Sequence, residues 1–135
     1  MGATIESRIY RFQRKMDRLL AASETPVTGF NEGEQALGFY QNQGEDGLAF
    51  TSEGVHFNKG PLIRYRDLAD IRVSGEKNTA AHLELILSNG SVEVIEINGG
   101  SGRLRDVWEI LRLLRRIIET VKSSSAPGSV ERYAR

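Results

Sequence analysis

HLELILSNGSVEVIEI, residues 82–97, alternates apolar and polar side chains over much of its length on either side of Asn89 and Gly90. Alternation of that kind is the period of a half-buried strand. An Asn-Gly pair between two such runs suits the two-residue turn of a hairpin, because both residues tolerate positive φ. In that register Leu87 faces Val92 and Leu85 faces Val94. Carried further, the pairing sets Leu83 against Glu96, although Ile97 is the better apolar partner. The pattern therefore predicts a bulge near Val94 or Ile95.

Upstream of the hairpin the same alternation recurs between turn residues, giving strands at 36–41, 47–52, 54–58, 62–66 and 69–74 beside 82–88 and 91–97. Seven short strands with close spacing predict an antiparallel architecture. The run GRLRDVWEILRLLRRIIETV, residues 102–121, switches to the helical period and carries the single tryptophan. Leu104, Val107, Trp108, Leu111, Leu114 and Ile118 share one face, which marks Leu104, Trp108 and Leu111 as core against the strands. Ile110, Leu113, Ile117 and Val121 form a second line, so that the apolar arc spans about 220°, wider than a one-sided helix needs.

A covering partner for that second line lies at the other end of the chain. Ile5, Ile9, Phe12, Met16 and Leu19 step by three and four behind Thr4, a plausible N-cap, with Glu6 in the first turn. The matching spacing of the two seams predicts packing of the helices within one chain or across a dimer, and it makes these nine residues the candidate interface. The expected organisation is an N-terminal amphipathic helix over 1–25, a loop over 26–35, a strand-rich domain over 36–122 and a flexible tail over 123–135.

Together these elements predict an α+β, mainly β fold: a seven-stranded barrel plugged by the C-terminal helix, with an additional N-terminal helix. The run GLAFTSEGVHFNKGPLIRYRDLADIRV, the hairpin 83–97, the Tyr65-Arg66-Asp67-Leu68 corner and Trp108 in RLRDVWEIL resemble the pleckstrin-homology-like superfold, in its bacterial or GRAM-like branch, over about residues 36–121. The resemblance implies a binding or assembly module, with the helical tryptophan packed across the barrel opening.

Charge and composition narrow the function classes. Eighteen basic residues balance eighteen acidic ones, so whole-chain charge gives no argument for nucleic acid. The hairpin between the first two strands, where members of the superfold bind inositol phosphates, carries Glu45 and Asp46 and no cation, so no inositol phosphate is expected there. Arg8, Arg11, Lys15 and Arg18 line the N-terminal helix beside its apolar seam, which makes membrane contact a second, less favoured reading. The absence of cysteine and of any apolar run near the ~18 residues of a membrane span predicts a cytoplasmic protein.

No residue pattern points to catalysis or to a cofactor. INGGSGRLRD lacks the Gly-Lys-Ser/Thr ending of a phosphate loop, and Arg105 stands where a dinucleotide fold needs its third glycine. His56 and His82, the only histidines, fall where alternation points them outward, without metal-ligand spacing. No Gly-x-Ser-x-Gly context is present. The expected activity is thus non-enzymatic, through a protein partner or self-association as a dimer, with small-ligand binding or enzymatic activity at the barrel mouth as the remaining alternative.

Overall fold

A computed structural model describes residues 4–14, 16–21, 33–43, 47–58, 60–75, 81–99 and 106–125, with side chains through residue 122. In chain order the elements are α1 (Ile5–Gln13), β1 (Leu19–Ala21), β2 (Ala36–Gln41), β3 (Gly47–Thr51), β4 (Gly54–Phe57), β5 (Ile63–Arg64), a 3-10 turn (Tyr65–Asp67), β6 (Leu68–Ser74), β7 (His82–Leu87), β8 (Val92–Glu96) and α2 (Asp106–Ser125). The fold is α+β and mainly strand. Its eight described strands form two antiparallel sheets, β1-β2-β3-β4-β5 and β6-β7-β8, and not the closed seven-stranded barrel expected.

The extra strand comes from the segment read as helix. Thr4 does cap α1, its Oγ1 accepting from the Ser7 N–H at 3.0 Å while the Ser7 hydroxyl accepts from the Thr4 N–H at 2.9 Å. The helix ends at Gln13, whose Nε2 donates to the Leu20 carbonyl at 2.9 Å. Leu19 to Ala21 then add to the edge of β2, with Leu19 opposite Tyr40. Met16 and Leu19 are buried as the seam required, at 3% exposure each. They are buried by a chain reversal and a strand, however, because the single step from Met16 to Leu19 is too short for its period to separate a helix from a turn and a strand.

The β7–β8 hairpin forms with a register one residue away from the expected one. The Leu87 N–H donates to the Ser91 carbonyl at 2.8 Å, and the Gly90 N–H to the Leu87 carbonyl at 2.9 Å, so residues 88–90 make a three-residue loop with Gly90 at φ 92°. Ile86 now faces Val92, and Leu83 faces Ile95 directly. The bulge expected near Val94 or Ile95 is unnecessary, and Val92 and Val94 point outward, 51% and 56% exposed.

The core between the sheets and α2 is built from Tyr40, Leu48, Phe50, Leu68, Ile71, Leu83, Leu85 and Ile97 with Val107, Ile110, Leu113, Leu114 and Ile117, each at 1% exposure or less. α2 touches α1, β6, β7 and the 3-10 turn, so its wide apolar arc is consumed inside the chain. Ile9, Phe12, Met16, Leu19, Ile110, Leu113 and Ile117 are buried, and Ile5 and Val121 pack partly buried against them. Seven of the nine interface candidates are therefore buried inside the chain and two partly so, with the two helices packed on each other within it. Of the line marked for the sheets Val107 and Leu114 are fully buried, whereas Trp108 is only partly buried and Leu111 and Ile118 keep 8% exposure, so that part of the line lies at the rim and Ile110, Leu113 and Ile117 of the second line lie as deep as any. Leu104 lies outside the described residues.

Candidate functional site

Burying the apolar arcs of α1 and α2 against each other sets their flanking polar strips side by side. Arg8 and Arg11 are three apart on α1; Arg112, Arg115, Arg116 and Glu119 recur at three-to-four spacing on α2. These six side chains, with Phe12 as floor, line a groove of about 670 Å³ between the helices. Five guanidinium groups thus face one carboxylate.

Two of the arginines are anchored at the groove. Arg8 Nε donates to Thr120 Oγ1 at 3.3 Å, across the helix pair, and Arg115 Nη2 donates to the Ile71 carbonyl at 2.9 Å. Arg112 meets Glu109 at 3.2 Å on its own helix. Asp70 lies close enough to Arg115 to feel its charge, although it is chiefly the Ile71 N–H, at 2.8 Å, that holds the Asp70 carboxyl below the usual range. Arg11 and Arg116 are exposed and have no side-chain partner among the described residues.

Of the basic stripe read on the N-terminal helix, Arg8 and Arg11 reach this groove. Arg18 turns away and donates to the Gln41 and Asn42 carbonyls at 3.2 and 3.0 Å, and Lys15 lies outside the described residues. The three α2 arginines went unremarked in the sequence. Their spacing opposite the apolar face was the available signal, and only the docking of α1 gives it meaning.

A second polar cluster is buried. His56, expected in solvent, is 8% exposed; its Nδ1 lies 3.0 Å from the Gly60 carbonyl and its Nε2 lies 2.8 Å from Glu34 Oε2. A carbonyl only accepts, so Nδ1 carries a proton, and the Nε2–Oε2 contact needs a second proton between imidazole and carboxyl. Thr51 Oγ1 donates to the same Oε2 at 2.6 Å and accepts from the Glu53 and Gly54 N–H groups. The carboxylate thus sits between hydroxyl and imidazole. The imidazole does not contact the Thr51 hydroxyl as it would in a Ser–His pair, and the geometry ties the segment before β2 to the β3–β4 hairpin.

A third feature, a cleft of about 360 Å³, opens where β5 and β8 part, with Phe57, Leu62, Ile63 and Val94 along its walls. The Glu45–Asp46 tip lies outside the described residues, as do residues 100–105 of the glycine connection. Among the described residues no three His, Asp or Glu side chains cluster as metal ligands, and no helix is long and apolar enough to cross a membrane. Compared with protein-family models, curated proteins and solved structures, the chain gives no significant match.

Proposed function

We propose that this chain is a non-catalytic binding module of pleckstrin-homology-like architecture that takes an anionic partner in the groove between α1 and α2. The strand sequence β2 to β5, then β6 to β8, then a terminal helix supports the architecture. The observation that carries the function is the convergence of Arg8, Arg11, Arg112, Arg115 and Arg116 on one concavity with Glu119 as its single carboxylate. Like charges gathered from two helices cost self-repulsion unless a counter-charge joins them. The reading includes a cytoplasmic address, supported by the lack of cysteine.

The contact surface is polar and cationic, where the apolar seams had pointed to a protein–protein interface. Retention on a heparin column tests it. The wild type is expected to elute well above the salt needed for Arg11→Glu/Arg116→Glu, with both proteins melting alike because both positions are exposed. Coincident elution would sink the proposal.

A further inference from the structure

Resting on that reading and narrowing it, we infer that the α1–α2 groove takes a small soluble polyphosphate, a ligand with two or more phosphate groups within about 10 Å, the reach of Arg112 to Glu119 at the helical rise. Among the described residues every cation lining the groove is arginine. The guanidinium fork matches phosphate oxygens two at a time, which a point-charge ammonium does not. Arg8 and Arg115 each spend one donor on Thr120 or Ile71 and keep the rest of the fork for a ligand. Holding those arms in place beforehand lowers the ordering cost of binding.

The shape of the site argues against larger anions. A surface that lies on a membrane presents apolar side chains beside its cations. The exposed large apolar residues described, Tyr10, Val92 and Val94, do not line this groove. A single-strand nucleic-acid track needs aromatic faces on which bases stack; Phe12, the one ring at the groove, is 5% exposed and forms its floor. What remains is a short, arginine-rich groove between two helices. Glu119 makes no close ion pair there among the described residues, and its charge subtracts from that of the arginines and opposes a bound anion.

Isothermal titration with sodium tripolyphosphate at about 150 mM salt, where exposed long-range attraction is screened, tests the inference on the full chain. The expected result is saturable binding of one ligand per chain. Arg11→Gln/Arg116→Gln should weaken it about tenfold or more, and Glu119→Gln should tighten it several-fold, with melting temperatures unchanged in the absence of ligand. Parallel arms use phosphatidylserine-containing vesicles and an oligothymidine of about 20 nucleotides, longer than a short site can hold. Arginine-dependent binding of vesicles or oligonucleotide without binding of tripolyphosphate would overturn this inference and leave the anionic-partner reading standing. Tripolyphosphate binding that ignores the double variant would overturn it too. Failure of every probe, heparin included, would remove both.

Discussion

His56 and Glu34 are held by one another as much as by the fold. The Glu34 side chain is 0% exposed and that of His56 11%, and the proton between them is what makes a 2.8 Å contact attractive. Glu34→Ala leaves the imidazole and the Thr51 hydroxyl without their acceptor, and His56→Ala leaves the carboxyl without its partner. Each is expected to cost about 3 kcal/mol, with the double variant costing clearly less than the sum. Urea unfolding of the four proteins of the cycle measures this, and additive losses would mean the pair is not coupled.

Asp106 acts in the opposite direction. Desolvation raises its carboxyl pKa above the ordinary value, only partly offset by the Tyr40 hydroxyl, which donates to Oδ2 at 2.9 Å, and by the charge of Arg18. The folded state then binds the proton more tightly than the unfolded state. Stability from this group falls as pH rises from the ordinary carboxylate pKa through the folded value, and the penalty is complete above it. Asp106→Asn should therefore compare more favourably with wild type near pH 7 than near pH 4, on the order-of-magnitude pKa scale of carboxylates. Equal differences at both pH values would contradict the sign.

At the scale of elements, the β7–β8 hairpin shows where reading stops. Alternation and Asn89-Gly90 found both strands, but a two-residue and a three-residue loop share that dipeptide, and the choice moves every facing pair by one. Asn89 is not left-handed while Gly90 stands at φ 92°, the pattern of the longer loop, and Gly90→Ala should cost about 1–2 kcal/mol, the strain of a left-handed non-glycine residue. A loss near zero would mean that residue 90 is not held left-handed, against the loop described. The wide arc of α2 was equally legible, whereas the order of depth around it was not. Periodicity gives the width of a face, and only the docking of α1 and both sheets decides which part lies deepest. Trp108→Ala should therefore cost about 2 kcal/mol in thermal unfolding, below the ~3–5 of a fully buried aromatic.

Over the whole molecule, the site was less legible than the fold for a simple reason. Each strand and helix is written in neighbouring residues, but the groove joins Arg8 and Arg11 to arginines more than a hundred positions away in a chain of zero net charge. The buried His56 was hidden in the same way, since its partner Glu34 precedes β2 and pairs across the sheet. Alternation assigned His56 to a solvated face because the sequence does not show that the segment carrying Glu34 covers that face.

Self-association changes its meaning at this scale. Leu113, on the stripe that had suggested a dimer, is 0% exposed inside the chain, so Leu113→Glu should bury an unpaired carboxylate and unfold the protein, with no assembly to dissociate. Among the described residues one route to a dimer is the edge of β8. The bonds from the Leu87 N–H to the Ser91 carbonyl and from the Ile97 N–H to the Ala81 carbonyl fix the ladder so that Val92 and Val94 turn their backbone groups away from β7. The far end of that edge is already occupied, because Asn42 Nδ2 donates to the Glu96 carbonyl at 2.9 Å. Exposed Glu93 sets a charge in the middle of it, a device that discourages strand addition. Light scattering should give a mass near 15.0 kDa for the wild type across the micromolar range, while Glu93→Val should favour heavier species. A wild-type mass near twice that value, lost on Val94→Lys, would show that the β8 edge pairs despite its glutamates.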